Sequence, residues 1–332
     1  MTNEQVKLVY GKERLDSYFE EKRKLVDDEI LNLLLQETDL SLHEKIEYVL
    51  RTRGKRLRPI LVMLSAQCVG GNIKSVKKLA LAVELLHAAT LIHDDILDQD
   101  IFRRNVPTVN ARWGVRDAVL VGDALASLSL GLTAEYGEEI TKIMSRTCLL
   151  LSDGEYLDVE NAKKALSERD YFETIKKKSA SLFKAATQCG ALAFGASRDE
   201  AAALAEFGES VGLAYQIKDD LLDVTACGNN VPQDINEFRA TLPIIHLCES
   251  TKPILREKFL QQLSSFKAQS PSEKSEFLKE LQKALQSTGT VNYCICKVNQ
   301  YIDDAVDSLE SIKESIYKDF IIQVAESLRP TR

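Results

Sequence analysis

The sequence predicts an all-α protein, a single large helical bundle of about ten or more helices around a central cavity. Three observations predict it. Apolar residues recur at helical spacing almost throughout the chain, no run of β-branched residues alternates strictly between turn signals, and helix start signals are frequent. With 332 residues, 45% of them hydrophobic, there is ample material for a sizeable core. No low-complexity linker or shift in composition divides the chain, so residues 1–332 are expected to form one domain.

The individual signals fall in order. Ser41 to Glu44 has the form of a capping box ahead of EKIEYVLRTR, with Gly54 as the stop. Ser270 to Glu273 repeats the device, with Pro271 in the first helical position. Pro59, Pro107, Pro232 and Pro243 punctuate the periodic segments.

A formal charge of −7 and a pI near 5.4 exclude a nucleic-acid partner held through a broad basic surface. Seven scattered cysteines read as reduced thiols, and Cys294 and Cys296 have no second pair to complete a zinc site. The opening segment MTNEQVKLVYGKERLDSYFEEKRK is too charged for a signal peptide. AVLVGDALASLSLGLTA comes nearest to the ~20 apolar residues of a membrane span, but Asp123 interrupts it. A cytoplasmic protein with no integral membrane segment is expected.

The chemistry gathers at two acidic clusters. LIHDDILDQDIFRR carries Asp94, Asp95 and Asp98 at the end of an apolar run, and LAYQIKDDLLDV repeats the spacing with Asp219, Asp220 and Asp223. On a helix, positions i and i+4 lie one above the other, so Asp94 shares a face with Asp98 and Asp219 with Asp223. A solvated face is the bland explanation of any one acidic trio. The duplication, the apolar setting and the neighbouring Arg103, Arg104 and Lys218 argue against it here. Partly buried carboxylates repel unless a cation joins them, and an all-oxygen donor set selects Mg²⁺ or Mn²⁺ over zinc. Mg²⁺ shares its shell with phosphates, so the pattern points to a metal-dependent diphosphate enzyme.

Glu84 and His87 form a Glu-x-x-His pair of the kind used by di-iron bundles, but no second pair exists, since His43, His93 and His246 lack the preceding Glu. GKRLRP, residues 54–59, supplies Lys55 and Arg58, and KKKSASLF supplies Lys176 to Lys178 with Ser179. Such basic turns are usually solvated; arginine forks and lysine charges also match phosphate oxygens.

Taken together, GKRLRP, LIHDDILDQDIFRR and YQIKDDLLD, in that order, resemble the trans-isoprenyl (polyprenyl) diphosphate synthases of the long-chain type. The likeness extends over NVPTVNARWG, VLVGDALAS, DYFETIKKKSASLFKAATQCGALAFGA and the Arg-Ala-Thr-Leu-Pro beginning at Arg239. It implies a prenyltransferase that condenses isopentenyl diphosphate with an allylic diphosphate (geranyl, farnesyl or geranylgeranyl). It implies Asp94, Asp98, Asp219 and Asp223 as metal ligands, with Asp95 and Asp220 in support, holding about three Mg²⁺. Arg103, Lys178, Ser179, Gln216 and Arg239 match positions that serve the allylic diphosphate, and Lys55, Arg58, His87 and Arg104 those that grip isopentenyl diphosphate. A homodimer is also implied. A terpene cyclase and a subunit of a heteromeric synthase with low activity alone are the rivals; two intact aspartate motifs with GKRLRP disfavour the first, and the intact aspartates disfavour the second, which only a missing loop lysine supports.

The stretch TACGNNVPQD, through Asn229, Asn230 and Asp234, lacks the lysine the family usually carries there, and Arg239 stands where a lysine is common. Short-chain members close the product pocket with an aromatic residue four or five positions before the first aspartate. Thr90 and Ala89 stand there instead, with Ala88 beside them and Leu85 and Leu86 one turn of ~5.4 Å deeper. A product longer than twenty carbons is expected, with the twenty-carbon product as the alternative.

Overall fold

The computed structural model describes residues 3–36, 38–52, 54–161, 167–225, 235 and 239–330. The loop carrying Asn229, Asn230, Pro232 and Asp234 lies outside them.

Helices account for nearly all the regular structure: α1 Asn3–Gln36, α2 His43–Leu50, α3 Leu57–Cys68, α4 Ile73–Leu97, α5 Val109–Trp113, α6 Val115–Ala134, α7 Glu138–Asn161 and α8 Glu168–Ile175. A π-helical turn, Lys176–Ala180, leads into α9 Ser181–Leu192, followed by α10 Arg198–Thr225, α11 Leu242–Glu249, α12 Pro253–Ser264, α13 Pro271–Ser287, α14 Thr290–Ser308 and α15 Ile316–Glu326. The fold is the expected all-α bundle. One element was not expected from the sequence, a two-stranded ribbon of β1 Phe102–Arg103 against β2 Val106–Pro107.

Helix α3 organises the interior. Every residue from Pro59 to Cys68 is buried, so it contributes to the apolar core on both sides. On one side Ile60 and Leu64 pack with Phe183, Phe207, Ile217, Val298 and Ile321. On the other, Val62 and Met63 join Leu79, Val83, Leu85, Val121, Leu125 and Ala186. Full burial of a side chain such as Phe183 is worth about 1.5–3 kcal/mol. A smaller cluster of Phe259, Phe266, Phe277 and Leu281 serves α12 and α13.

The two predicted capping boxes part company. Ser270 and Glu273 form theirs, with reciprocal bonds and Pro271 in the first turn. Ser41 does not cap: α2 starts two residues later, with Leu42 as its N-cap and no side-chain bond. Gly54 is not the stop either, because α2 ends at Leu50 and Thr52 folds back to bond the Tyr48 carbonyl at 3.2 Å. Gly54 serves another purpose: a Cβ built there would meet the Arg104 guanidinium at 2.6 Å. With no side chain there, the Arg104 guanidinium lies directly over the backbone.

Helix α6, contrary to the sequence reading, is long and apolar enough by length and composition to cross a membrane, though only a third of its apolar window is buried. It packs along α4 and α7, while Val119, Leu120, Asp123 and Leu130 face outward.

Candidate active site

Two helices end where the acidic clusters sit. Asp94 and Asp95 occupy the last turn of α4, with Asp98 as its C-cap, and Asp219 to Asp223 occupy the last turns of α10. The C-terminus of a helix carries partial negative charge, so each end repels the carboxylates placed on it. Residues Asp94, Asp98, Asp219, Asp220 and Asp223 line one cavity of about 860 Å³. Burial, together with neighbouring Asp223, pushes Asp219 above the usual carboxylate range against the pull of Lys55.

Asp95 stands apart. It is buried, absent from the cavity lining, and bonded to Arg103. Burial pushes it up to about 6, against the Arg103 attraction. Arg103 reaches it because of the ribbon. Arg104 and Asn105 both have positive φ, 53° and 64°, which closes a two-residue hairpin and pairs Arg103 with Val106. The loop is tied down by Asn110, whose side-chain amide donates to the carbonyls of Asp95 at 3.2 Å and Asp100 at 3.1 Å. Thr108 adds a 2.7 Å bond to the Asp100 carbonyl. Neighbouring arginines thereby serve different partners: Arg103 the aspartate helix, Arg104 the face at Gly54.

Helix α7 supplies two acids that the sequence reading passed over. Lys178 Nζ lies 2.9 Å from Glu155 and 2.7 Å from Asp158. The close approach depends on Gly154, where a Cβ would come 2.3 Å from the Lys178 amide nitrogen. Burial works to lower the Lys178 ammonium, but Asp158, Asp94 and Glu155 outweigh it and hold the group charged above its ordinary range. Glu155, buried beside Asp94, is pushed up to about 8. The only hint in the sequence was the i, i+3 spacing of Glu155 and Asp158, which any surface helix also shows. Arg239 completes this cluster, paired with Asp98 and 3.8 Å from Asp158.

The π-helical turn sets Lys176, Lys177 and Lys178 on different courses: Lys176 pairs with Glu209, Lys177 with Asp153 and Glu173, and only Lys178 enters the cavity. Ser179 Oγ donates to Gln216 Oε1 at 2.6 Å, and Gln216 Nε2 donates to Asp220 at 2.7 Å. Tyr171, also unforeseen, donates to the other Asp220 oxygen at 2.6 Å. Burial raises Asp220 to about 7, although both hydrogen bonds act to lower it. Lys218, by contrast, points away and bonds the Ser327 carbonyl at 3.3 Å.

A second cavity, of about 930 Å³, shares Arg58, His87, Arg104 and Tyr215 with the first and adds Lys55. Arg58 lies over the Phe183 ring, 4.3 Å from its centroid, and its Nη1 is 3.1 Å from His87 Nε2. Burial, then Arg58, Arg104 and Arg103, hold His87 well below its ordinary 6.5. The imidazole is therefore neutral, with Nε2 accepting from the guanidinium. Glu84 bonds Arg56, not His87, so the Glu-x-x-His pair has no metal-site geometry.

Beneath Asp94 the first cavity runs between helices. Leu86, Ala89 and Thr90 line it from α4, Ala126 from α6, Cys148 and Leu151 from α7, and Leu182 from α9. Leu85, expected there, is fully buried in the core and does not line the cavity. It faces the α3 side because it lies one residue, about 100°, round the helix from Leu86.

An all-helical enzyme with two acid-bearing helix ends facing a basic wall is the class that fold and site define. Residues 40–281 match the polyprenyl synthetase family model, and the chain belongs to that family of prenyltransferases. It is 33% identical over 312 residues to the geranylgeranyl diphosphate synthase of Methanosarcina mazei, covering 91% of this chain and 93% of that one. Among solved structures, geranylgeranyl pyrophosphate synthetase from Pyrococcus horikoshii superposes with a TM-score of 0.88 at 28% identity, covering 97% and 99% of the two chains. A decaprenyl diphosphate synthase from Rhodobacter capsulatus gives 0.85 at 29% identity, with 95% and 98% covered.

Proposed function

We propose that this chain, as one synthase domain over residues 1–332, condenses isopentenyl diphosphate with an allylic diphosphate in a Mg²⁺-dependent reaction. The observation that carries the reading is the pairing of cavities: five aspartates line one, and Arg58, His87 and Arg104 form the wall it shares with a second, where Lys55 and other basic side chains outnumber the carboxylates of Glu20, Asp27, Asp28 and Glu84. The acidic half suits a metal-bound allylic diphosphate. The basic half, with Lys55, suits a diphosphate bound without metal.

The donors fit Mg²⁺. They are all carboxylate oxygens, and their crowding at two negative helix ends calls for a cation. Asp94, Asp98, Asp219 and Asp223 would hold the ions. Bound Mg²⁺ supplies positive charge to the departing diphosphate. Lys178 and Arg239 add fixed charge at the same end of the cavity, Ser179 and Gln216 offer polar contacts, and Arg103 holds Asp95 in place. The allylic C–O bond breaks with its electron pair leaving on the diphosphate, the terminal carbon of the isopentenyl double bond forms the new C–C bond to the allylic carbon, and the tertiary cation this leaves re-forms a double bond by losing a proton from its neighbouring CH2 to the departed diphosphate. The tail extends past Ala89 and Thr90, both too small to block it, which favours a product longer than twenty carbons.

The outward apolar residues of α6, Val119, Leu120 and Leu130, support a homodimer through that face. Cytoplasmic residence is part of the reading, supported by the free state of the described cysteines.

The test is incubation with Mg²⁺, radiolabelled isopentenyl diphosphate and farnesyl diphosphate, followed by dephosphorylation and chromatographic sizing. Labelled prenols longer than twenty carbons are expected. No incorporation with any allylic partner overturns the reading, and a stop at twenty carbons overturns the product length.

A further inference from the structure

Arg56 enters α3 with a φ of 50°, a left-handed conformation unusual for a residue with a side chain. Its guanidinium turns inward and is 5% exposed. Nη1 donates to Glu84 at 2.5 Å and Nε to Asp27 at 2.9 Å. Nη2 donates to the carbonyls of Leu50 at 3.1 Å and Thr52 at 3.4 Å. Four partners from α1, α2 with its following turn, and α4 thus converge on one side chain. Lys55 precedes it and Arg58 follows two residues later; both line the second cavity, as do Arg56, Glu84 and Asp27, but the guanidinium nitrogens of Arg56 are engaged by these acids and carbonyls rather than presented to it. Glu84 lies three residues before His87, on the same face of α4, and His87 meets Arg58 at 3.1 Å.

We propose that Arg56, clamped by Glu84 and Asp27, is a positioning residue that fixes the register of the basic turn against α4 and so sets the affinity for isopentenyl diphosphate. The inference rests on the reading of the second cavity given above. The clamp closes a loop of contacts. Arg56 ties the turn to Glu84, Arg58 ties it to His87, and the two anchors on α4 are one helical turn apart. Releasing the first lets Lys55 and Arg58 shift relative to His87 and Arg104. The aspartate clusters, Lys178 and Arg239 are held by other partners and keep their geometry. Only a planar fork can bond Glu84, Asp27 and two carbonyls together, so lysine is not an equivalent.

The experiment compares the wild-type protein with Glu84→Gln, Arg56→Lys and Asp27→Asn. The variants are measured for KM of each substrate, kcat, thermal midpoint and calorimetric binding of inorganic pyrophosphate without divalent metal. Loss of a supporting contact of this kind is expected to raise the KM for isopentenyl diphosphate about tenfold in Glu84→Gln and Arg56→Lys, with kcat and the allylic KM within about twofold. Pyrophosphate binding weakens in parallel. Asp27→Asn, at the half-exposed end of the clamp, gives a smaller rise in the same direction and serves if a buried variant fails to fold. Equal movement of both KM values, or none in any variant, overturns the inference. A wild-type protein that incorporates no isopentenyl diphosphate overturns instead the reading beneath it.

Discussion

Tyr171 donates its phenolic proton to Asp220 across 2.6 Å, and Gln216 donates to the other oxygen of the same carboxylate at 2.7 Å. Both oxygens of Asp220 are thereby engaged by the protein, although it lines the cavity with Asp219 and Asp223, which lie one turn apart on α10. On α4 the middle carboxylate is likewise engaged: Asp95 is held back by Arg103, while Asp94 and Asp98 line the cavity. In each Asp-Asp-x-x-Asp motif the middle aspartate is the one tied to neighbouring side chains that hold it in place, Asp95 to Arg103 and Asp220 to Tyr171 and Gln216.

Tyr171→Phe tests this arrangement. The ring remains packed on Phe172, 5.4 Å away, so the fold is preserved. A hydrogen bond to a charged group, worth about 1.5–3 kcal/mol, is lost. Asp220 then rises further above its value of about 7. Supporting residues of this kind cost about 10–100-fold in metal affinity or activity when removed. A Mg²⁺ titration of the initial rate is expected to shift by that order, and an unshifted curve would mean Tyr171 only fills space.

Lys178→Ala removes the cation shared by Glu155 and Asp158. Loss of one preorganised charge at a leaving group lowers kcat about 10²–10³-fold. The described fold is expected to persist, because Lys178 lines a cavity rather than the apolar core. Chelation of Mg²⁺ with EDTA should abolish turnover in both proteins and be reversed by added Mg²⁺. Turnover that survives the chelator sinks the metal assignment.

The fold and the acidic half of the site were legible because both are periodic. Helical spacing is written in every segment, and Asp-Asp-x-x-Asp appears twice. What was hidden depends on long-range contact. Glu155 and Asp158 resemble any surface acids until Gly154 lets the Lys178 backbone approach. Tyr171 looks like one more aromatic core residue until its hydroxyl is seen against a carboxylate forty-nine positions away. The capping box at Ser41 failed because its pattern is local and the neighbouring turn, bonding His43 N to the Leu40 carbonyl, started the helix without it. Leu85 was misassigned by a single residue, enough to turn a side chain from cavity to core.

Ala89→Phe tests the tail path. Ala89 is 2% exposed and lines the cavity one turn below His93. A phenyl ring there projects across the space bounded by Cys148 and Leu182. Products should shorten by at least one isoprene unit while incorporation continues. Cys148→Phe, entering the same cavity from α7, should do the same. An unchanged ladder in both variants removes the assignment of this channel to the growing chain.

Leu120→Glu tests the association face. Leu120 is 47% exposed on α6 beside Val119, which is 40% exposed, and a charge buried there on association has no partner. Light scattering on the wild-type protein is expected to give twice the 37.2 kDa chain mass, and on the variant the chain mass itself. A wild-type monomer, or a variant that stays dimeric, assigns the face to something else.

His87 contributes one signed component to the response to acid. Its folded form is held neutral, first by burial and then by Arg58 and Arg104, so its protonation lies well below 6.5. The unfolded chain takes up a proton near 6.5 that the folded chain refuses. Stability from this residue is therefore complete above 6.5 and is lost as pH falls beneath it, at up to about 1.4 kcal/mol per pH unit. His246 is also lowered by burial, against Glu168 and Glu249, and contributes equally to wild type and variant. The raised carboxyls of Glu155, Asp220 and Asp95 act the other way, binding protons in the folded chain as pH falls, and are common to both proteins. The measurement is therefore the difference: between pH 7 and pH 5.5 the urea midpoint of the substrate-free wild type should drop relative to that of His87→Gln, which keeps a polar partner for Arg58 without a titrating ring. Equal pH slopes in the two proteins would place the missing proton elsewhere and return His87 to its charged form.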